Sequence, residues 1–156
     1  MITQEALQFL EDLVANNNTD WMHANKKRYE QYKKDYHAFI AGLLAEMKQL
    51  DPKLDDLEVK NCTFRINRDI RFSKDKSPYK TNMGVWFTQN KFQKNSPGYY
   101  VHFEKVNCFV AGGVWCPEPA QLKQIRREIA FFYDDLEKIV ADAAFKKEYG
   151  DLSREA

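Results

Sequence analysis

The sequence has few of the residues that mark specialised folds. It contains three cysteines, six glycines and five prolines among 156 residues, which excludes a disulfide-rich scaffold and a collagen-like or low-complexity chain. No apolar run approaches the roughly 18 residues that a membrane span needs, and residues 1–20 lack the layout of a secretory signal. The spacing of Cys62, Cys108 and Cys116 matches no zinc or redox motif. These absences predict a cytoplasmic globular protein with reduced thiols.

The sequence also lacks a net charge and the common signatures of nucleotide-binding proteins. Lys and Arg number 24 against 23 Asp and Glu, giving +1, so the overall charge favours neither nucleic acid nor a membrane as partner. None of the patterns GxGxxG, GxxxxGKS or GxSxG occurs, and His23, His37 and His102 do not have metal-site spacing. His102 shares an alternating strand face with Tyr100 and Glu104, where a hydrogen-bonded sheet histidine is favoured over a base. We therefore expect no metal and no cofactor.

Apolar residues at steps of three and four predict two helices in the first third of the chain. The first covers residues 3–16 with Thr3 as N-cap. The second begins at Thr19 or Asp20 and ends at Asp51 and Pro52. Its apolar stripe is expected to face the core: Tyr29, Tyr32, Tyr36, Phe39, Leu43, Met47 and Leu50.

The other face of this second helix is basic and is expected to be solvated: Lys26, Lys27, Arg28, Lys33 and Lys34. If its lysines and its tyrosines instead faced one groove, they would resemble a platform for single-stranded nucleic acid. That alternative is less favoured, because the spacing of the tyrosines is that of a buried stripe.

The middle of the chain alternates apolar and polar residues with period two. This pattern predicts strands at 62–67, 83–88, 99–104 and 108–115. The links between them are short, which favours antiparallel pairing. Gly112 and Gly113 in the last strand indicate a bulge or a close approach of the backbone.

The last part of the chain returns to helical spacing. Pro117 and Pro119 open a helix whose core stripe runs from Leu122 to Ile139, and a short helix at 142–149 ends at Gly150. The order of helices, strands and helices predicts a single α+β domain over residues 1–156. We expect an antiparallel sheet of about four to five strands with helices packed on one face.

The densest charge lies between residues 65 and 80. Six basic side chains against Asp69 and Asp75 give this segment +4, whereas the remaining chain carries −3. Like charges about 6 Å apart repel by on the order of 1–3 kcal/mol at an effective dielectric near 20, and a bound anion would offset that repulsion. Arginine suits this role because its fork holds phosphate or carboxylate bidentately. The segment therefore predicts a pocket for a phosphate-bearing or carboxylate ligand, lined by Arg65, Arg68, Arg71, Lys76, Tyr79 and Lys80.

Three other interpretations stay open. The segment could be an ion-pair network that ties loop 69–79 to the sheet, or the chain could be an interaction module without catalytic activity whose long basic helix meets nucleic acid or an acidic partner. The segment could also be an enzyme's centre with Asp69 or Asp75 as base and Tyr79 as proton donor. The strand before the loop is expected to end near Asp69, so that the loop folds Arg68 and Arg71 back toward Arg65. If Asp69 orients these arginines, we expect it to be ionised, hydrogen-bonded and largely buried.

Eight residues of this segment resemble the signature of a known family: Arg65, Arg68, Asp69, Arg71, Phe72, Asp75, Lys76 and Tyr79. The family is a bacterial one of conserved hypothetical proteins, a domain of unknown function. The start of the chain is also similar, at Asn16 to Asn18, Trp21, Asn25 and Tyr29, as is the pair Gly112 and Gly113 followed by Pro117. The resemblance implies the fold class and the importance of the segment, but no reaction. Family members extend several dozen residues farther, which implies a short variant or a chain truncated at its C-terminus.

Overall fold

The computed structural model describes residues 2–89, 96–104 and 106–152. The chain divides into two compact units, Met1–Val114 and Trp115–Ala156, and each is described by itself. The single domain expected over residues 1–156 stays a prediction. No helix in the described ranges is long and apolar enough to cross a membrane.

The first unit begins with a run of helices, the first two of which start at polar side-chain caps. They are α1 (Gln4–Ala15), α2 (Thr19–Ala24), α3 (Lys26–Leu50), a short 3₁₀ helix (Pro52–Leu54) and α4 (Val59–Cys62). Thr3 caps α1 as predicted, because its Oγ1 accepts a hydrogen bond of 3.1 Å from the Ala6 amide.

The long helix predicted from Thr19 or Asp20 is wrong at its start. It is two helices, since Asn25 leaves the helical region at φ −104° and ψ 21°. The N-cap of α2 is Asn18, whose Oδ1 accepts from the Trp21 amide at 2.9 Å. The predicted end is confirmed, because Asp51 follows the last residue of α3.

The sheet has three antiparallel strands in the order β1-β2-β3: β1 (Met83–Thr88), β2 (Gly98–Phe103) and β3 (Phe109–Gly113). The α+β class and the antiparallel pairing are thus confirmed, but four to five strands are not found among the described residues. The strand predicted at 62–67 is wrong. Cys62 ends α4 instead, and Thr63 makes only an isolated bridge to Val85.

The core of the first unit lies between the helices and one face of the sheet. Met83, Val85 and Phe87 alternate onto that face and are fully buried, so the predicted period-two pattern of β1 is confirmed. They pack in one cluster with buried residues of α1 and α3: Ala6, Phe9, Leu10, Leu13, Tyr32, Tyr36, Ile40 and Leu44. Leu50, expected in this stripe, is 79% exposed because it lies at the last residue of the helix.

Gly98 lets β1 and β2 pair closely. A Cβ there would lie 2.4 Å from the Phe87 carbonyl oxygen, a distance that no side chain tolerates. The bulge or close approach expected at Gly112 and Gly113 is not found, because both pair in regular register with β2 and a Cβ at either would meet no backbone atom of the neighbouring strand within 4 Å. Gly113 instead has φ +141°, a backbone conformation that favours glycine.

The second unit holds α5 (Pro119–Phe131), α6 (Tyr133–Ala141) and α7 (Ala143–Tyr149). The continuous helix predicted from Pro119 to about Ile139 is broken at Phe132, where φ is −118° and ψ is 40°. None of the described residues in these three helices is buried, so the stripe from Leu122 to Ile139 is not the core that its spacing predicts. The short third helix and its end at Gly150, at φ +70°, are confirmed.

Candidate functional site

The basic segment forms a loop that is closed at its base. Asn67 and Tyr79 make an isolated antiparallel bridge, and we call residues 67–79 the basic loop. Asn17 holds both backbone groups of Tyr79: its Nδ2 donates to the Tyr79 carbonyl at 2.9 Å, and its Oδ1 accepts from the Tyr79 amide at 3.0 Å. The Lys80 amide donates to the Ile66 carbonyl at 2.8 Å. The loop is therefore anchored to the turn after α1.

Both arginines of the basic loop are already paired inside it. Arg71 binds Asp69 bidentately, with Nε–Oδ1 at 2.9 Å and Nη2–Oδ2 at 2.6 Å. Arg68 makes an ion pair with Asp75 and donates to the Ser77 carbonyl at 3.2 Å. These contacts form an ion-pair network within the loop.

The two carboxylates of the basic loop are exposed and poor bases. Hydrogen bonds from Arg71 hold the pKa of Asp69 below its usual range. Hydrogen bonds from the hydroxyl and the amide of Ser77, and after them the contact with Arg68, lower the pKa of Asp75. The Asp69 side chain is 45% exposed, so the expected burial is wrong. Its bidentate pairing with Arg71, in contact with solvent, favours the ionised form. Neither carboxylate has the raised pKa of a general base.

A different cavity is lined by cations that lie outside the basic loop. It has a volume of about 460 Å³ and lies between α3, residues 63–66, residues 80–84 and β2. Its tyrosines are Tyr29, Tyr32, Tyr36 and Tyr100, and its lysines and arginine are Lys33, Arg65 and Lys80. No carboxylate of the described residues lines this tyrosine pocket.

The tyrosines of α3 are fixed by stacking and by the backbone of the sheet. Ring centroids are 6.3 Å apart for Tyr29 and Tyr32 and 6.0 Å apart for Tyr32 and Tyr36. The Tyr36 hydroxyl donates to the Gly84 carbonyl and accepts from the Phe64 amide at 3.4 Å. Burial raises the pKa of Tyr36 to about 12, so this wall of the pocket stays neutral.

The three cations of the tyrosine pocket differ in their partners. Lys33 is paired with Glu30 at 2.9 Å. Arg65 makes no ion pair or hydrogen bond with any described residue. Lys80 is half-buried, and its Nζ lies 5.3 Å from the centroid of the Phe64 ring. Burial, and secondly the charge of Arg65, lowers the pKa of Lys80. Two positive charges thus face one cavity that no carboxylate of the described residues lines, and the charge of Arg65 also acts on Asp69 outside this cavity.

The predicted site residues are therefore divided among several places. Arg65 and Lys80 meet in the tyrosine pocket. Arg68 and Tyr79 line a second, smaller cavity of about 300 Å³, which Lys80 also reaches. Arg71 and Lys76 line neither cavity, and Lys76 instead donates to the Ile70 carbonyl at 2.9 Å. The expected meeting of Arg65, Arg68 and Arg71 in one pocket is wrong, because Asp69 and Asp75 engage two of the three within the loop.

Sequence reasoning missed the tyrosines and Lys33 as pocket residues. Helical spacing assigned Tyr29, Tyr32 and Tyr36 to the core, which is where Tyr32 and Tyr36 lie, and it assigned Lys33 to solvent. The available signal was the position of Lys33 directly after Tyr32, at the edge of the tyrosine stripe. The other residues of the predicted basic face line a separate depression with His23 and Asn25: Lys26, Lys27, Arg28 and Lys34.

The chain was compared with known families, curated proteins and solved structures. A family model described as conserved hypothetical protein DUF2461 matches residues 5–156. No curated protein and no solved structure matches. The match confirms the resemblance to a family of conserved hypothetical proteins, whereas bacterial origin and the eight-residue signature stay predictions.

Proposed function

The chain belongs to the DUF2461 family, whose description assigns no activity, and on that premise we propose that it binds a small anion in the tyrosine pocket. The ligand carries a phosphate or a carboxylate, and Arg65 and Lys80 are the groups that hold it. One observation supports this proposal above the others. Two positive charges face a common cavity, and no carboxylate of the described residues lines it.

The electrostatics of Lys80 favour an anion in this place. A buried ammonium loses hydration, and a second cation beside it raises the cost further. Both effects act on Lys80, where they lower the pKa. A bound anion would offset both effects, since it supplies opposite charge and hydrogen-bond acceptors at once.

The chemistry of the lining suits a small ligand with an apolar part. Arg65 offers a planar fork and Lys80 a compact charge, which together suit a phosphate or carboxylate group. Tyrosine rings provide apolar walls, with their hydroxyls as further hydrogen-bonding groups. The cavity volume of about 460 Å³ falls in the usual range for small-molecule sites, roughly 300–1,000 Å³.

The proposal leaves the other predicted basic residues outside the binding site. Arg68, Arg71 and Lys76 make their contacts within the basic loop, whereas backbone hydrogen bonds at Tyr79 and Lys80 hold Lys80 in place. An enzyme with Asp69 or Asp75 as base is the less favoured alternative, because both carboxylates are ion-paired and their pKa values are lowered.

Calorimetric titration of the wild type with inorganic phosphate, phenyl phosphate and benzoate tests the proposal. We expect phenyl phosphate to bind most tightly, since it combines a divalent anion with an aromatic ring. Arg65→Gln should weaken that binding by about 10- to 100-fold, the equivalent of about 1.5–3 kcal/mol for a hydrogen bond to a charged group. Lys80→Met should act in the same direction.

Arg71→Gln is the matched control. It removes the same charge from an exposed side chain of the basic loop, paired with Asp69 and outside the tyrosine pocket, and should leave the affinity unchanged. If none of the three anions binds the wild type at millimolar concentration, the proposal is wrong. Equal losses in Arg65→Gln and Arg71→Gln would also contradict it, because they would indicate a general effect of charge.

A further inference from the structure

A hydroxyl, an imidazole and a carboxylate follow one another along one face of β2. The Tyr100 Oη lies 2.9 Å from Nδ1 of His102, and Nε2 of His102 lies 3.6 Å from Oε2 of Glu104. Residues two apart on a strand point to the same side of the sheet, so the order of the three groups follows directly from the sequence. Tyr100 is the member that lines the tyrosine pocket.

The neighbours of His102 assign the roles of its two nitrogens. Nδ1 faces the Tyr100 hydroxyl and also the Asn82 amide nitrogen at 3.5 Å. An amide NH₂ group only donates, so Nδ1 is the acceptor and Nε2 carries the hydrogen. Nε2 is buried and makes no hydrogen bond within the described ranges. The Glu104 carboxylate lies beside it at electrostatic contact distance.

The surrounding rings hold this arrangement in place. The His102 ring stacks on Phe109, with centroids 4.9 Å apart at an interplanar angle of 11°. The Tyr100 ring contacts Phe64 and Phe109, at centroid distances of 6.3 Å and 5.8 Å. Glu104 in turn accepts a hydrogen bond of 3.3 Å from Thr81 Oγ1. Gly84 leaves room for the hydroxyl, because a Cβ there would lie 2.8 Å from the Tyr100 Oη.

We infer that Tyr100 is a proton-transfer residue of the tyrosine pocket, acting on an anionic ligand that carries an ionisable hydroxyl group. This inference rests on the proposed function, which brings such a ligand next to Tyr100. His102 and Glu104 are positioning residues behind it, in the arrangement of an activated hydroxyl, its base and the group that orients the base.

The proton transfer balances without any co-reactant. The Tyr100 proton moves from Oη to Nδ1 of His102 as the ligand hydroxyl gives its proton to Oη. The net change is one proton moved from ligand to His102, leaving an alkoxide and an imidazolium, and the reverse transfer restores the start. Arg65 and Lys80 hold the charged group of the ligand, and Glu104 stabilises the imidazolium through opposite charge.

An electrophile that reports activated tyrosines tests the inference on the intact chain. We would treat the protein with phenylmethanesulfonyl fluoride, which is neutral, and with 3-carboxybenzenesulfonyl fluoride, which carries an anionic group. On modification the Oη–S bond forms and the S–F bond breaks, fluoride leaves with the electron pair, and the Tyr100 proton passes to His102. The rate is read at each tyrosine by peptide mass spectrometry, with Tyr149, 71% exposed, as internal control.

We expect Tyr100 to react with the neutral probe about 100-fold faster than Tyr149, the lower range of general-base assistance. His102→Gln should remove that advantage, and Glu104→Gln should reduce it without changing the melting temperature. A rate at Tyr100 no higher than at Tyr149 would overturn the inference. So would an unchanged rate in His102→Gln or, if that variant does not fold, an unchanged rate in Glu104→Gln.

The carboxylated probe separates this inference from the proposed function. It should modify Tyr100 faster than the neutral probe does, inorganic phosphate should slow it, and Arg65→Gln should abolish that preference. If the neutral probe gives a fast, His102-dependent reaction but the carboxylated probe shows no preference and phosphate no protection, anion binding is overturned. The assignment of Tyr100, His102 and Glu104 as a proton-transfer group is supported by that same result.

Discussion

At the scale of single residues, Lys80 couples the pocket to pH. Its pKa is lowered from the ordinary value of 10.5 by burial and by Arg65. Below the folded-state pKa the ammonium is charged in both folded and unfolded protein, so the full cost of placing it in the pocket is present. As pH rises through the folded-state pKa, Lys80 loses its charge in the folded protein and the free energy of unfolding rises. The rise ends where the unfolded lysine also loses its proton, near 10.5.

The affinity for an anion should fall over the pH range in which the free energy of unfolding rises. It should be full at neutral pH, where Lys80 is charged, and should fall as pH rises through its lowered pKa, before an ordinary lysine would titrate. Burial raises the pKa values of Tyr29, Tyr36 and Tyr100, which moves the ionisation of these tyrosines to higher pH. Calorimetric affinities for phenyl phosphate, measured from neutral pH to above 10.5, give the profile.

Lys80→Arg provides the control for this pH profile. Arginine keeps its charge over the whole interval, so the affinity of the variant should stay level where that of the wild type falls. An identical fall in both proteins would show that a different group titrates.

At the scale of elements, the basic loop depends more on its anchor than on its ion pairs. Asn17 satisfies the backbone amide and carbonyl of Tyr79, a buried residue. Asn17→Ala would leave both groups without these bonds, and the free energy of unfolding should fall by about 1–3 kcal/mol. Denaturant titration followed by circular dichroism measures that change.

Asp69→Ala is the comparison for the Asn17 variant. Its ion pair with Arg71 lies in solvent, where such pairs contribute little, so the free energy of unfolding should change much less than in Asn17→Ala. A larger loss for Asp69→Ala than for Asn17→Ala would contradict this view of the loop.

Elements with a clear local signal could be predicted from the sequence. Thr3 marks the start of α1, and the alternation of Met83, Val85 and Phe87 marks β1, because one face of each element is buried. The alternation of Cys62, Phe64 and Ile66 has the same form. Within the described residues, however, this segment meets the sheet only through the isolated bridge from Thr63 to Val85. Likewise, nothing in the composition around Phe132 signals the break between α5 and α6, since apolar spacing continues through it.

At the scale of the whole molecule, the packed core and the apolar helices of the second unit differ in burial. Phe9 is 1% exposed and Ile129 is 40% exposed. Phe9→Ala should lower the free energy of unfolding by about 3–5 kcal/mol. Ile129→Ala should cost far less, since little of its surface is removed from water. Denaturant titrations of the two variants side by side provide the measurement, and equal losses would contradict the assignment of the core.

The candidate site could be predicted only in part, because it depends on long-range contacts. Arg65 and Lys80 were predicted as ligand-binding residues from the charge of their segment. The sequence did not predict that these two residues lie apart from Arg68 and Arg71. That separation depends on the carboxylate with which each arginine of the loop pairs. The tyrosines of α3 lie about thirty positions before Arg65 in the sequence, and only the fold brings them together.

The hydrogen bond from Tyr36 to the Gly84 carbonyl joins residues 48 positions apart, and it has a consequence for the order of folding. Contacts between distant residues require a long chain segment to close, and proteins rich in them fold slowly. The helices can form from local contacts, but the two walls of the pocket meet only after this closure. Recovery of anion binding in a refolding experiment would therefore lag behind recovery of helical signal, so that the ligand reports the completion of the fold.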